Sequence, residues 1–250
     1  MTPGNKAGPV EYVMAGAQEV LSHAARFGGP GELLSHAELA AAARFRNPAD
    51  GRGYAAGHIL FRVMAARALG GTPRTARGLA IHRHCRNCGG AHGKPGIDAT
   101  NLSLSRARDT VMVASAAPNR PLGADVEAFP RQLHSSFDSF ALSPEEREAL
   151  AHTDVESRIR LWVAKEAALK ATGHGLAVEP CALHIGPPAP DHHGTRAGSW
   201  AAAVESPALR ETHGLNIAWV PAGGNHAAAL ATSAQPDIKE LDVQEVFQGS

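Results

Sequence analysis

The sequence predicts an α+β protein of two similar halves, because an order of helices followed by short strands occurs twice along the 250 residues. In the first half, Ser35–Glu38 has the spacing of a capping box at a helix start. Asn47 or Asp50 opens a second helix, which a helical apolar pattern carries to Leu69. Short β-like runs begin near residue 79, and Thr110–Ala116 is the clearest of them.

The second half repeats this order. Gly123–Val126 has the character of a strand, and Ser143–Glu146 and Thr153–Glu156 both have the capping-box spacing. The second box opens a helix of about five turns that ends at Gly173. Four further strands are expected, at Cys181–Ile185, Trp200–Val204, Leu215–Val220 and Ala227–Ala231. We therefore expect an N-terminal half at 1–120, a C-terminal half at 121–235 and a polar tail at 236–250.

Composition excludes several classes of function. The 24 basic and 24 acidic side chains cancel, so no overall field favours nucleic acid or a membrane surface, and any anion site must be local. Three cysteines, an odd number, argue against a secreted disulfide scaffold. No secretory leader and no run of roughly 20 apolar residues is evident. We expect a cytoplasmic protein with neither a nucleic-acid nor a membrane partner.

Asp125 and Glu127 are the first candidate site. Residues two apart on a strand point to the same face, so these carboxylates lie side by side. Burying two such charges together is costly unless a cation lies between them, and Mg²⁺ prefers oxygen ligands of this kind. The alternative is an exposed strand edge with two acidic residues.

Trp162, Glu166 and Lys170 recur every four residues on the long helix and so share roughly one face. Glu166 ahead of Lys170 is also the common order of a solvated helical ion pair, which is the alternative. The functional interpretation is a third metal-binding carboxylate with a lysine one turn away, placed to bind phosphate or move a proton.

Three further segments offer weaker signals. The glycine-rich run Gly89–Gly96 carries Lys94 and has the make-up of an anion-binding loop or a plain turn. Ser105 beside Arg106 is good phosphate chemistry and also a common surface turn. Cys85 and Cys88, with histidines nearby, form either a reduced pair, a redox pair or half of a zinc site.

In their order and spacing, four of these pieces resemble the 4′-phosphopantetheinyl transferases. The pieces are Gly93-Lys94-Pro95, Ser105-Arg106, Gly123–Glu127 and Trp162–Lys170. The resemblance covers roughly residues 31–235 and is greatest to the surfactin-type (Sfp-type) branch, which serves polyketide and nonribosomal peptide carriers. It implies a monomer of two pseudo-symmetric α+β halves with coenzyme A in the cleft between them, and transfer of phosphopantetheine to a serine of an acyl or peptidyl carrier protein.

The resemblance also implies roles for single residues. Asp125, Glu127 and Glu166 match the ligands of Mg²⁺, which Mn²⁺ can replace, and Glu127, Glu166 and Lys170 are the catalytic candidates. The residues expected to contact coenzyme A are Arg44, Arg52, His92, Gly93, Lys94, Pro95, Ser105, Arg106, Lys165 and Lys170.

The chain departs from the family pattern in two places. Arg106 stands where the family usually has histidine, and Ala40–Ala43 replaces positions that are often basic. Two rival hypotheses remain: a protein that binds coenzyme A or a carrier without turnover, and a zinc-ribbon interaction module centred on Cys85 and Cys88.

Overall fold

The computed structural model describes residues 8–84, 88–91, 93–186, 202–206 and 209–248. The first half contains β1 (Val10–Gly16), α1 (Ala17–Ala25), α2 (Pro30–Leu33), α3 (His36–Ala43), α4 (Pro48–Ala68), β2 (His82–Arg83), β3 (Pro95–Gly96), β4 (Asn101–Ala107) and β5 (Thr110–Ala116). The remainder contains β6 (Leu122–Ala128), α5 (Phe137–Ala141), α6 (Pro144–Ala149), α7 (Val155–Thr172), β7 (His184–Ile185), β8 (Ala202–Glu205), β9 (Leu215–Val220), β10 (His226–Ser233), β11 (Ile238–Glu240) and α8 (Val243–Gln248).

The strands form two main sheets, which confirms the predicted α+β class. The first has the order β11-β1-β5-β4 and the second the order β6-β10-β9-β8-β7, while β2 and β3 pair separately. All pairings are antiparallel except that of β11 with β1, which is parallel. The chain passes from β5 in the first sheet to β6 in the second between residues 116 and 122.

The core has three layers because side chains alternate across each strand. On β5, Val111 and Val113 face a cluster built around α4, whereas Met112 and Ala114 face a second cluster that lies between the sheets. A third cluster fills the space between the second sheet and α7. The arrangement is therefore helix, sheet, sheet, helix, with one long helix covering each outer face.

Two edge strands, β4 and β6, lie next to each other where the halves meet. The backbone N–H of Ala124 on β6 donates a hydrogen bond to the Ser103 hydroxyl on β4 over 2.9 Å. A side chain thus satisfies an edge N–H that would otherwise be buried without a partner. This contact fixes the two strands that carry Ser105 and Asp125.

Residues 236–248 do not form the polar tail that the sequence predicted. The backbone of β11 pairs with β1, and α8 buries Val243, Val246 and Phe247 in the α4 cluster. The charged residues of β11 made the segment polar on average, although the short helix that follows them has an apolar face. The C-terminal segment therefore belongs to the first half of the molecule.

The helix starts agree with the sequence in most cases. Capping boxes at Ser35 and Ser143 and the N-cap at Asn47 are confirmed. The box expected at Thr153 is wrong, because α7 begins one residue later: the Asp154 carboxylate accepts a hydrogen bond from the Ser157 backbone N–H over 2.8 Å. Aspartate is as good an N-cap as serine or threonine. None of the helices in the described ranges combines the length and the apolar character needed to cross a membrane.

Candidate active site

Asp125 is the centre of a compact charged cluster. One of its carboxylate oxygens, Oδ1, accepts hydrogen bonds from the Ser105 hydroxyl at 2.7 Å and from the Lys170 ammonium at 2.5 Å. Lys170 also donates to the Ser105 hydroxyl oxygen at 3.0 Å. These three side chains come from β4, β6 and α7, so the site joins the two halves of the molecule.

Gly123 explains how β6 and α7 come this close. A Cβ atom at Gly123 would lie 1.8 Å from the carbonyl oxygen of Ala167 and 2.7 Å from the backbone nitrogen of Ala171. Only a residue without a side chain permits this approach. It brings Asp125, two residues along β6, within reach of Lys170 on the last turn of α7.

Glu127 and Glu166 extend the cluster. Burial, and then the charge of Asp125, raises the pKa of Glu127 to about 7, while Lys170 opposes the shift. Burial followed by Asp125 also raises the pKa of Glu166 to about 7, again against Lys170. The charge of Glu166 further raises the pKa of Glu127. Three carboxylates and one ammonium therefore act on one another.

The cluster has the chemistry of a divalent-cation site. Asp125 Oδ2 and Glu166 Oε1 are buried and have no hydrogen-bond partner among the described residues. Carboxylate oxygens that lack a partner are the hard ligands that Mg²⁺ prefers. However, within the described ranges no set of three His, Cys, Asp or Glu side chains is arranged to hold a metal ion. The chemistry of these donor oxygens nevertheless fits a divalent cation.

Lys94, which is expected from the family resemblance to contact coenzyme A, forms hydrogen bonds within the protein. Its ammonium donates to the Asn101 side-chain oxygen at 2.8 Å and to the Leu122 carbonyl at 2.6 Å, which connects β4 with the start of β6. Gly93 has a φ of +100°, and its carbonyl accepts a hydrogen bond from Arg83. Pro95 lies in the short strand β3. His92 and Cys85 lie outside the described residues.

Ser105 and Arg106 point in opposite directions and do not converge on one anion-binding position. Adjacent residues on a strand point to opposite faces, and here Ser105 faces Asp125 whereas Arg106 faces α4. The Arg106 guanidinium carbon lies 5.5 Å from the ring centre of Tyr54 and 5.9 Å from that of Phe45. Gly57 leaves room for the Arg106 stem, because a Cβ there would lie 3.0 Å from it.

A cavity of about 280 Å³ opens beside α3 and α4, and its lining includes Tyr54 and Arg83. Its floor contains Glu38, whose pKa falls to about 2 because, against the effect of burial, hydrogen bonds from His58, Ser35 and Arg62 favour the ionised form. Arg83 and Tyr54 were not among the residues expected from the sequence. Arg44 and Arg52 are both exposed at the junction of α3 and α4.

Lys165 does not fit the expected contact with coenzyme A. Its side chain is fully buried, donates to the Ala141 carbonyl at 2.8 Å and forms an ion pair with Glu146. Burial lowers the pKa of Lys165, and the Glu146 contact opposes that shift. Glu146 also accepts hydrogen bonds from the backbone N–H groups of Ser143 and Ile185. Lys165 therefore connects α7 to α6 and the edge of the second sheet.

Comparison with known proteins gives one match. No curated protein matches the chain at a significant level. A family model does match residues 121–229, a segment shorter than half the chain that contains β6, α7 and most of the second sheet. Asp125, Glu127, Glu166 and Lys170 all fall within it. The segment that carries the charged cluster is thus similar to the 4′-phosphopantetheinyl transferase superfamily.

Proposed function

We propose that this protein is a 4′-phosphopantetheinyl transferase of the surfactin type, which moves phosphopantetheine from coenzyme A to a serine of an acyl or peptidyl carrier protein. One observation carries the proposal. The segment that matches the superfamily is the one in which Asp125, Glu127, Glu166 and Lys170 form a single, partly buried charged cluster. A shared fold alone would not require four interacting charges at one place.

A divalent cation, Mg²⁺ or Mn²⁺, would be held by Asp125, Glu127 and Glu166. The unpartnered oxygens of Asp125 and Glu166 support this assignment. When bound, the cation supplies charge that offsets the negative charge of the phosphoryl oxygens. Without it, three carboxylates in a partly buried cluster would repel a diphosphate.

The transfer step is a displacement at phosphorus. The carrier serine oxygen forms a bond to the β-phosphorus on the pantetheine side, the bond to the bridging oxygen breaks, and adenosine 3′,5′-bisphosphate leaves with that electron pair. The serine proton passes to a base. Glu127 or Glu166 is the candidate for this base, because both carboxylates belong to the cluster beside which the serine would arrive. Lys170 stabilises the charge on the leaving phosphate.

The first half supplies the place for the nucleotide end of coenzyme A. The cavity beside α3 and α4 offers the Tyr54 ring and the Arg83 guanidinium, and Arg44 and Arg52 add positive charge at the same end. An aromatic ring and guanidinium groups suit a base and a phosphate respectively. Lys94 contributes indirectly, by holding β4 against β6.

An aromatic surface next to the cluster suits a carrier protein. Phe137 and Phe140 of α5 lie with their ring centres 5.9 and 5.8 Å from that of Trp162, and Phe140 is 45% exposed. Trp162 lies one turn before Glu166, and its indole N–H lowers the pKa of Glu127, against the larger effect of burial. A carrier docked on these rings would bring its serine close to the carboxylates. The protein would work as a monomer, with both halves supplied by one chain.

Mass spectrometry of apo-carrier domains incubated with the protein, coenzyme A and Mg²⁺ tests the proposal. We expect a gain of one phosphopantetheine on the carrier, lost in Asp125→Asn and retained in Asp237→Asn, an exposed position outside the cluster. No gain on several acyl and peptidyl carriers would overturn the proposal. Coenzyme A binding without any gain would favour the binding-protein rival, and tightly held zinc lost in Cys85→Ser would favour the zinc-ribbon rival.

A further inference from the structure

Lys170 contacts Asp125, a carboxylate that would also bind the divalent cation of the proposed function. We propose that the Lys170 ammonium is the resident counter-ion of the carboxylate cluster, and that a divalent cation displaces it from Asp125 and so releases it toward the phosphates. The inference rests on the cation site of the proposed function. It assigns to Lys170 an exchange between two partners in addition to its role in transfer.

The contact itself is close and asymmetric. The ammonium lies 2.5 Å from Asp125 Oδ1 and 3.0 Å from the Ser105 hydroxyl oxygen. The Asp125 side chain is only 3% exposed, whereas that of Lys170 is 24% exposed. A lysine stem with four flexible carbons can therefore swing outward while the aspartate stays in place.

The charge of Lys170 acts on the whole cluster. Besides its contact with Asp125, the ammonium attracts the carboxylates of Glu127 and Glu166. One ammonium thus partly balances three carboxylates. A divalent cation placed among the same carboxylates would meet that positive charge at short range, and the two would repel.

The present arrangement leaves an incomplete set of ligands. Asp125 Oδ2 and Glu166 Oε1 are buried without partners, while Oδ1 is taken by Lys170 and Ser105. In the part of the chain that the structure describes, no three His, Cys, Asp or Glu side chains converge on one metal position. Departure of Lys170 removes the repulsion and leaves Oδ1 with the Ser105 hydroxyl alone. The displaced ammonium then lies beside the cation, one turn of α7 from Glu166, and can contact an anionic diphosphate bound there.

Calorimetric titration of Mg²⁺ without coenzyme A tests the exchange. At pH 8.5, where both glutamates are ionised, we expect Lys170→Gln to bind Mg²⁺ about tenfold or more tightly than the wild type, because a competing charge is gone. Lys170→Arg keeps the competing charge and should bind as weakly as the wild type. Lys239→Gln removes a lysine whose ion pairs lie with Glu11 and Glu245 in the first half, and controls for net charge.

Equal or weaker Mg²⁺ binding by Lys170→Gln, or no Mg²⁺ binding by any of these proteins, overturns the exchange. Wild-type protein labelled with ¹³C-lysine gives a second measurement that does not depend on the folding of a variant. The signal of the Lys170 Cε should move when Mg²⁺ is added, and a signal that stays in place refutes displacement. Neither experiment uses a carrier protein, so the two proposals can fail separately. If the wild type is an active transferase and Lys170→Gln binds Mg²⁺ no more tightly than the wild type, only this inference is refuted. If Lys170→Gln binds Mg²⁺ more tightly and the wild type shows no transfer, only the proposed function is refuted.

Discussion

Replacement of Gly123 by alanine should damage stability and activity together. The new Cβ would lie 1.8 Å from the Ala167 carbonyl oxygen and 2.7 Å from the Ala171 nitrogen. Carbon and oxygen atoms that are not bonded to each other need roughly 3.4 Å, so β6 and α7 must separate by about 1.5 Å. Both obstructing atoms belong to the helix backbone, and no side chain can rotate to relieve the clash.

Two magnitudes follow from that separation. Overpacking a tightly packed contact costs about 1–3 kcal/mol, and a clash with backbone atoms lies at the upper end of this range. Glu166 and Lys170 move with α7 while Asp125 stays on β6, so the distances within the charged cluster change. A displacement of about 1 Å in a catalytic arrangement reduces the rate by about 100-fold. We therefore expect a loss of about 3 kcal/mol and of at least two orders of magnitude in transfer rate.

Urea unfolding and the carrier mass assay measure the two effects. Gly16→Ala is the matched control, because a Cβ at Gly16 has no atom within 4 Å and the residue has φ −67° and ψ 141°. It should stay within about 1 kcal/mol of the wild type and keep full activity. An unfolding midpoint and a transfer rate of Gly123→Ala equal to those of the wild type would refute the close approach as the basis of the site.

Three further predictions concern stability. Lys165→Met should lower the free energy of unfolding by about 3–5 kcal/mol, because Glu146 stays buried without its partner; unchanged stability with weakened coenzyme A binding, by urea and calorimetry, would contradict this. With chelator present, the free energy of unfolding should fall as pH rises from about 4.5 to about 7, because Glu127 and Glu166 hold protons more tightly when folded, by up to about 3 kcal/mol each. Glu166→Gln should make the fall of the unfolding free energy with pH shallower. Wild-type urea midpoints that stay flat or rise between pH 5 and 8 would contradict the raised pKa values of the two glutamates. Phe247→Ala should lower the free energy of unfolding by about 3–5 kcal/mol in a urea titration, because the ring is buried against the α4 cluster. A loss under 1 kcal/mol would mean that α8 does not contribute to the core.

Local chemistry explains what could be predicted from the sequence. The capping boxes at Ser35 and Ser143 and the end of α7 at Gly173 depend on hydrogen bonds and backbone angles within a few residues. The common face of Asp125 and Glu127 depends only on the two-residue period of a strand. These features do not need the tertiary fold to decide them.

Strand β4 shows where local patterns fail. Leu102 and Leu104 alternate with Ser103 and Ser105, which is a strand pattern with a polar face. For Ser105 and Arg106, however, the sequence left open a phosphate-binding pair or a surface turn, and no strand was predicted there. The two serines face the second half of the molecule instead of solvent, where Ser103 accepts from Ala124 and Ser105 donates to Asp125. Which polar face is buried depends on contacts between residues about 20 positions apart, and no local period contains that information.

The two lysines of α7 make the same point more sharply. Lys165 and Lys170 are five residues apart on one helix, and a solvated lysine and a buried one have the same sequence signature. The structure buries Lys165 because α7 is covered on two sides: by the second sheet, and by α6, whose capping-box residue Glu146 also pairs with the lysine ammonium. Lys170 instead reaches the junction of the two halves. Loss of either lysine should abolish transfer, so activity alone cannot separate the roles. Unfolding free energies, which should fall steeply for Lys165 and little for the partly exposed Lys170, distinguish the lysine that builds the helix packing from the one that serves the cluster.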